Sequence, residues 1–303
     1  MNVGILGCGY VGTAVARRWH QDKSYHITAT TTTEERVSDI EQVAQKVVVI
    51  KGDNETALKS FVQAQELILL SVAPTRQLNG NTYEETYLHT AKNLVKVLQQ
   101  VTTVKQLIYT GSYSVYGDKD GAWVDEETPL TPLNRNGEIL AQTEQVLMAA
   151  SSLDLKVCIL RLGGIYGIGR ELTKIFSRAF GTTRSGNGED FTNWIHLDDI
   201  VGAVDAFMSK HSIYNIVGDR PLVSRDLQGS LVLRSTIYPK CCGIRTKGKY
   251  ALTTHRYRIR RLKPQVTSSF ILTLCCDIGR CRCKDVAVTD LPDVAVLRLA
   301  HGF

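Results

Sequence analysis

Long apolar runs are missing from this sequence. None approaches the roughly eighteen residues of a membrane span, so we expect no membrane partner. No basic leader precedes the first apolar residues, which predicts no secretion signal and a cytoplasmic location. Aromatic residues make up only 7% of the 303 residues, against 43% apolar and 22% charged. This composition suits a chain with a large core and excludes disorder, a collagen-like fibre and a small disulfide scaffold.

Glutamate is absent from residues 229–303, which hold 14 Lys or Arg against four Asp or Glu. Residues 1–228 hold the other 22 basic and 26 acidic residues, a balance typical of an ordinary enzyme. Six of the eight cysteines also lie beyond residue 228: Cys241, Cys242, Cys275, Cys276, Cys281 and Cys283. The sequence therefore predicts two parts, residues 1–228 and an atypical basic, cysteine-rich tail over 229–303.

Three interpretations of this tail compete. A zinc module would need paired C-x₂₋₄-C spacing, which these cysteines lack. A nucleic-acid-binding arm would suit the basic run 256–263, but aromatics are sparse there, so we do not expect a nucleic-acid partner. A shifted reading frame near codon 228 would change charge, glutamate, cysteine and periodicity at one point. We favour this third interpretation.

Strand and helix patterns alternate along residues 1–228. Apolar, β-branched runs occur at 3–6, 26–30, 47–50, 67–72, 106–109, 156–162 and 214–217. Most are apolar throughout, which is typical of strands buried on both faces of a parallel sheet. Segments with helical periodicity lie between them, at 13–20, 83–100 and 137–150. This alternation predicts a doubly wound α/β domain.

The first predicted strand leads into a G-x-G-x-x-G motif at residues 7–12, and a predicted helix follows. Gly7 would allow the tight turn, Gly9 would let the backbone approach a diphosphate, and Gly12 would let the helix pack closely on the strand. The free N–H groups at the start of the helix would face the phosphates. The motif predicts a dinucleotide site that includes Tyr10 and Val11, rather than a tight turn without a ligand.

The choice between NADP and NAD depends on the end of the second strand. Enzymes that use NAD usually carry Asp or Glu about 20 residues beyond the glycines. Here residues 30–33 are threonines, and Glu34, Glu35 and Arg36 follow. Hydroxyls beside an arginine favour the 2′-phosphate of NADP, so Thr32 and Arg36 are candidate contacts. Glu34 could instead hold the ribose of NAD, and the threonines could simply cap the next helix.

Three more residues are candidates for the cofactor site. Asp53 follows the third strand and could accept a hydrogen bond from the adenine amino group, or it could cap the helix that starts near Glu55. Ser71 and Ala73 end the fourth strand at the carboxyl edge of the sheet, where ligands of such folds bind.

Five motifs occur in order: the glycine loop, Asp53, YTGSYSVYG at 109–117, LRLGGIYG at 160–167 and WIHLDDI at 194–200. Together they resemble the extended short-chain dehydrogenase/reductase family, the NAD-dependent epimerases and dehydratases of nucleotide sugars. The resemblance covers residues 1–228. It implies a Rossmann-type doubly wound parallel sheet with a small C-terminal substrate lobe.

The resemblance also implies a catalytic set. In that family a serine positions the substrate oxygen, and a Tyr with a Lys four residues later relays a proton. Ser112 matches the serine, but Asn136 and Leu140 stand at the expected Tyr and Lys positions. The sequence therefore resembles an atypical subgroup that lacks the pair. The candidate substitutes are Tyr113, Tyr116, Arg135 and Glu138, and of these Tyr116 is our candidate catalytic residue, with packing as the alternative.

Arg161 and Arg170 flank a glycine-rich loop, where the family binds the distal part of its substrate. Each guanidinium could bind a carboxylate or phosphate, or could form a structural salt bridge instead. His196, Asp198 and Asp199 lie close together in sequence, but we interpret the aspartates as caps of a helix that starts at Ile200 and predict no metal.

The resemblance implies an NAD(P)-dependent oxidoreductase or epimerase-like protein that acts on a nucleotide sugar or a similar hydroxyl or carbonyl compound. The missing Tyr/Lys pair permits one alternative, a cofactor-binding sensor or regulatory protein without turnover. The expected cofactor is NADP or NAD. The expected partners are a small-molecule substrate and a second copy of the chain in a homodimer.

Overall fold

A computed structural model describes residues 1–74, 82–177, 188–218, 221–225 and 227. The tail over 229–303 and the interpretations made for it lie outside the described residues. The described strands are β1 (Asn2–Leu6), β2 (His26–Thr31), β3 (Lys46–Val49), β4 (Leu67–Leu70), β5 (Gln106–Ser112), β6 (Lys156–Leu162), β7 (Gly164–Tyr166), β8 (Phe191–Thr192), β9 (Trp194–His196), β10 (Ser212–Ile216) and β11 (Leu222–Val223).

Helices connect these strands. The α-helices are α1 (Tyr10–His20), α2 (Val37–Glu41), α3 (Glu55–Val62), α4 (Thr82–Glu84), α5 (Thr90–Leu98), α6 (Arg135–Ala149), α7 (Leu172–Phe176) and α8 (Leu197–Ala206). Two 3₁₀ turns cover Glu34–Arg36 and Tyr113–Tyr116, and a π-helical turn, Glu85–His89, joins α4 to α5. Within the described ranges, no helix is both long and apolar enough to cross a membrane.

Seven strands form one parallel sheet in the order β10-β6-β5-β4-β1-β2-β3. The chain order reverses beside β1, which pairs with β2 on one side and β4 on the other. This arrangement confirms the predicted Rossmann-type doubly wound sheet. Two small sheets, β7 with β9 and β8 with β11, are formed by residues that follow β6.

Separate apolar cores cover the two faces of the large sheet. On one face, Trp19 of α1 and Val204 of α8 pack against the strands. On the other face, the sheet packs against Phe61 of α3, Leu94 of α5 and Leu147 of α6. Burial on both faces explains why the central strands are apolar throughout rather than alternating.

Candidate functional site

The glycine loop connects β1 to α1 at the point where the strand order reverses. Gly7 has a φ of +94°, a left-handed conformation that glycine adopts without strain. Its N–H donates to Thr30 Oγ1 at 2.9 Å, and a Cβ on it would lie 2.7 Å from the Ser71 carbonyl oxygen. The turn therefore requires glycine, and β1, β2 and β4 meet around it.

Gly12 and Gly9 have different surroundings. A Cβ on Gly12 would lie 2.5 Å from the Gly7 carbonyl oxygen, so this glycine allows close packing of α1 on the loop. A Cβ on Gly9 would meet no described atom within 4 Å. Gly9 is also the N-cap of α1 and has no side chain to accept hydrogen bonds from the first helical N–H groups. This open space beside uncapped N–H groups fits a diphosphate.

Arg36 lies against the same loop. Its Nη1 donates to the Cys8 carbonyl oxygen at 2.8 Å, and its Nη2 lies 3.5 Å from Thr13 Oγ1. No carboxylate of the described residues forms an ion pair with this guanidinium. Thr32 is exposed just after β2, and Glu34 is exposed in the following 3₁₀ turn. Thr33, the N-cap of that turn, makes no side-chain capping bond, so the structure does not favour the capping alternative.

Asp53 lies in an exposed loop after β3. Asn93 donates from Nδ2 to the Gly52 carbonyl oxygen at 2.9 Å and thereby holds this loop. The alternative that Asp53 caps the next helix is wrong, because Asn54 is the N-cap of α3 and its Oδ1 accepts from the Ala57 N–H at 3.0 Å. The carboxylate of Asp53 is left without this structural role, and the prediction of an adenine contact still stands.

A cavity of about 250 Å³ lies along the carboxyl edge of the sheet. It brings together half of the predicted site residues: Gly9, Tyr10, Val11, Ser71, Ala73, Ser112 and Arg170. Other wall residues were not predicted from the sequence, among them Tyr83, Tyr87, Tyr109 and Leu140. The sequence did contain a pattern that points to two of them. Tyr83 and Tyr87 lie four residues apart, on one face at the start of a predicted helix that follows a strand of the sheet.

Ser112 ends β5 in the cavity wall. Its Oγ lies 3.0 Å from Ser114 Oγ and accepts from the Ser114 N–H at 3.3 Å, so it also caps the 3₁₀ turn. Helix α6 contains neither tyrosine nor lysine. Asn136 is exposed, whereas Leu140 is buried and lines the cavity. Helix α6 thus contributes an apolar surface rather than a proton donor.

The structure corrects the predictions for Arg161 and Tyr116. Arg161 is only 3% exposed and pairs with Glu144, with Nη2 2.7 Å from Oε2. Its Nη1 donates to the Tyr116 hydroxyl at 2.7 Å, and that hydroxyl donates to Asn215 Oδ1 at 2.8 Å. Burial raises the pKa of the Glu144 carboxyl, and Arg161 opposes that rise. Neither Arg161 nor Tyr116 lines the cavity, because their polar groups serve a buried network. The structure therefore favours a structural salt bridge for Arg161 and a packing role for Tyr116.

Arg170 does line the cavity. Its guanidinium carbon lies 4.4 Å from the ring centroid of Tyr10, the first residue of α1. The Tyr10 hydroxyl donates to the Ile168 carbonyl oxygen at 2.9 Å, which docks the loop after β7 onto α1. The neighbouring Glu171 pairs with Lys174 at 2.8 Å rather than with Arg170. The position of Arg170 would suit an anionic ligand group.

His196 rather than an aspartate caps α8. Its Nδ1 accepts from the Asp198 N–H at 3.2 Å, and the helix begins at Leu197. The expectation that the aspartates cap a helix starting at Ile200 is therefore wrong. Across the described ranges, no group of three or more His, Cys, Asp or Glu side chains is arranged to hold a metal ion.

A glycine loop with open space before a helix N-terminus, at the reversal point of a doubly wound parallel sheet, defines a dinucleotide-binding α/β protein. A family model described as "NAD dependent epimerase/dehydratase family" matches residues 3–217. The chain belongs to that family. Its predicted cofactor class, NAD or NADP, is thereby confirmed.

Several known proteins are similar to this chain. Protein YeeZ of Escherichia coli (strain K12) is 29% identical over 224 residues, 71% of this chain and 76% of YeeZ. The structure of a functionally unknown conserved protein from Silicibacter pomeroyi DSS has a TM-score of 0.64 at 22% identity, covering 85% of this chain and 89% of that one. UDP-glucuronic acid 4-epimerase from Bacillus cereus, in complex with UDP-glucuronic acid and NAD, has a TM-score of 0.69 at 17% identity over 85% and 89%. At these identities the similarity to the two structures shows the fold of this chain and nothing further.

Proposed function

We propose that the protein is an NAD(P)-dependent oxidoreductase that acts on an oxygen-bearing carbon of a nucleotide sugar or a similar hydroxyl or carbonyl compound. One observation carries this proposal. A single cavity is lined by the open glycine loop, where a diphosphate fits, and by Ser112 at the end of β5. Cofactor and substrate oxygen would therefore share one cavity.

Different residues of the chain bind the cofactor, hold the substrate oxygen and exclude water. The backbone around Gly9 and the first N–H groups of α1 bind the cofactor diphosphate. The Ser112 hydroxyl holds the substrate oxygen, as a hydroxyl can both donate and accept. Leu140 and Leu162 keep water out of the reacting space. When bound, the nicotinamide supplies or accepts the hydride.

The nucleotide-sugar class is supported by two features. The Bacillus cereus epimerase is named for a UDP-sugar, and UDP-glucose is bound in the related fold of an epimerase from Thermotoga maritima. In this chain, Arg170 supplies a cation in the cavity wall that would pair with a diphosphate or a sugar carboxylate.

For the cofactor we propose a preference for NADP. The Arg36 guanidinium lies at the end of β2 beside the loop and has no carboxylate partner among the described residues, while Thr32 offers a hydroxyl nearby. Both groups would suit a 2′-phosphate. Glu34 is exposed and makes no described contact with the loop.

Two measurements on the purified chain test the proposal. Millimolar NADPH and NADH should raise the melting temperature, because binding to the folded state alone stabilises it. Absorbance of the reduced nicotinamide should then change on prolonged incubation with UDP-glucose, UDP-glucuronic acid or dTDP-glucose and oxidised cofactor. If neither nucleotide stabilises the chain, cofactor binding at the glycine loop is refuted. Stabilisation without turnover of any of the three sugars would favour the sensor alternative, which the missing Tyr/Lys pair permits.

A further inference from the structure

The turn that follows β7 contacts the first residue of α1. Gly167 and Arg170 pair through two backbone hydrogen bonds of 3.2 and 2.9 Å, which close a two-residue turn over Ile168 and Gly169. The base of the turn lies beside Leu197 of α8, but its tip has little apolar support. Ile168 is 84% exposed, and a Cβ on Gly169 would meet no described atom within 4 Å. The position of the tip therefore depends on polar contacts.

Tyr10 contacts this turn at two points. Its hydroxyl donates to the Ile168 carbonyl oxygen at 2.9 Å, and the guanidinium carbon of Arg170 lies 4.4 Å from the centroid of its ring. Gly167 leaves room for the hydroxyl, because a Cβ at this position would lie 3.0 Å from Tyr10 Oη. The φ of Gly167, +151°, also favours glycine. One side chain of α1 thus holds both the tip of the turn and its arginine.

Arg170 brings a positive charge to the cavity wall. The nearby carboxylates have other partners, since Glu171 lies 2.8 Å from Lys174 Nζ. Asp198 likewise lies 3.6 Å from His196 Nδ1. The Tyr10 ring attracts a cation but does not neutralise its charge. The Arg170 guanidinium therefore keeps its charge and its N–H donors for an anionic group in the cavity.

The main chain of Tyr10 belongs to the cofactor site. Tyr10 is the first residue of α1, directly after the N-cap Gly9, so its N–H is among those that lack an intrahelical partner. In the proposed function these N–H groups bind the cofactor diphosphate. The backbone of Tyr10 would thus contact the cofactor while its side chain holds Arg170. A single residue therefore relates the position of the cofactor to that of the guanidinium.

We propose that Tyr10 is the positioning residue of an anion site on Arg170, and that this site binds an anionic group of a nucleotide sugar, its diphosphate or a sugar carboxylate. This inference rests on the proposed function and adds the residue that orients Arg170. The Tyr10 hydroxyl fixes the tip of the turn, and its ring keeps the guanidinium at the cavity wall. The substrate then meets an arginine that is already in place, so less side-chain entropy is lost on binding.

Four chains test this inference: Tyr10→Phe, Arg170→Gln, the double variant and the control Tyr25→Phe. Each is titrated with UDP-glucose and with UDP-glucuronic acid at saturating NADPH. Arg170→Gln should raise the dissociation constant of the sugar roughly 10–100-fold, the effect of losing a charged hydrogen bond. Tyr10→Phe keeps the ring and removes only the hydroxyl, so the rise should be roughly 2–10-fold. Tyr25, whose hydroxyl contacts Met208 Sδ, should tolerate the change.

The double variant separates positioning from direct binding. If Tyr10 acts through Arg170, Tyr10→Phe should cost little further affinity once Arg170→Gln is present, so the two losses do not add. Additive losses would show that the hydroxyl acts on the ligand by itself and would overturn the positioning role. The two sugars identify the anion. Weaker binding of both assigns the diphosphate, weaker binding of UDP-glucuronic acid alone assigns the carboxylate, and unchanged binding of both by Arg170→Gln would overturn the site.

A further measurement needs no substrate. In amide hydrogen exchange of the ligand-free chain, the segment 167–171 should exchange faster in Tyr10→Phe than in the wild type, because the turn has lost its hydrogen bond to α1. Tyr25→Phe should leave this segment unchanged. Equal exchange in Tyr10→Phe and the wild type would overturn the positioning role. A wild-type chain that binds NADPH but neither sugar would instead refute the proposed nucleotide-sugar function, and the anion site with it, whatever the exchange shows.

Discussion

Gly9 and Gly12 belong to one motif, but only Gly9 has room for a Cβ. Gly9→Ala places a methyl group in open space at a φ of −81°, so the free energy of unfolding should change by less than about 0.5 kcal/mol. The same methyl group would stand where the diphosphate approaches, so stabilisation by NADPH should be lost. Thermal melts with and without NADPH measure both effects.

Gly12→Ala is the matched comparison. Its methyl group would meet the Gly7 carbonyl oxygen, so the free energy of unfolding should fall by roughly 1–3 kcal/mol even without cofactor. A Gly9→Ala chain that binds NADPH as well as the wild type would show that no phosphate approaches this glycine.

The Arg36 side chain should distinguish NADP from NAD. Arg36→Ala removes the guanidinium beside Cys8 and should weaken NADP binding by roughly 1.5–3 kcal/mol, the worth of a charged hydrogen bond, with little effect on NAD. Dissociation constants from nucleotide titrations measure the difference. Arg18→Ala, in the last turn of α1, is the control and should leave both constants unchanged. An equal loss for NAD and NADP would assign Arg36 to supporting the loop.

Between elements, the ion pair of Arg161 and Glu144 joins β6 to α6 inside the protein. Arg161→Met should lower the free energy of unfolding by roughly 3–5 kcal/mol, because it leaves a buried carboxylate without a counter-charge. The double variant Glu144→Leu with Arg161→Met should recover much of this loss, since an apolar pair of similar volume avoids the desolvation of two charges. Urea unfolding of the three chains gives the free energies.

An exposed ion pair provides the control. Lys96 and Glu55 join α5 to α3 at 2.6 Å, with 59% and 43% of their side chains exposed. Lys96→Met should cost at most about 1 kcal/mol, because water screens the pair. If Arg161→Met keeps full stability and weakens substrate binding instead, Arg161 would belong to the substrate site and not to a structural ion pair.

Strands and helices that are determined by their own residue pattern were predictable from the sequence. All seven strands of the large sheet were predicted, since each contains a short apolar or β-branched run. Strand β5 extends further than predicted, to Ser112, and β4 ends earlier, at Leu70. The helix predicted over 83–100 contains a π-helical turn instead of a uniform period. Side-chain periodicity is nearly the same in both cases, so the sequence does not reveal where the hydrogen bonds shift.

In the candidate site, too, features set by adjacent residues were predictable, and features set by contacts between distant elements were not. The glycine loop was predictable because motif, strand and helix are adjacent in the chain. The role of Arg161 stayed open in the sequence because its partner Glu144 lies on another element, and only the packing of α6 on the sheet brings the two together. Tyr83 and Tyr87 were missed for a related reason: their place in the cavity wall depends on how α4 and the π turn approach α6.

At the scale of the whole molecule, the described residues of the large sheet extend to Ile216 and those of the cavity wall to Arg170. The matched family region also ends early, at residue 217. The abrupt change in charge, glutamate, cysteine and periodicity after residue 228 thus falls about ten residues beyond the matched family region. Such a coincidence of changes at one point is what a shift of reading frame produces, since every codon downstream is altered together.

We therefore predict that translation of the gene in one of its other two frames beyond codon 228 yields a continuing helix and amphipathic strands with glutamate restored. A chain carrying that segment should have a higher melting temperature than the present one, because the added strands would complete the substrate lobe and bury apolar surface. It should bind NADPH with the same affinity, since the glycine loop is far upstream. Stop codons or a composition without helical or strand periodicity in both alternative frames would show that the basic, cysteine-rich tail belongs to the protein, and its cysteines and arginines would then need a role of their own.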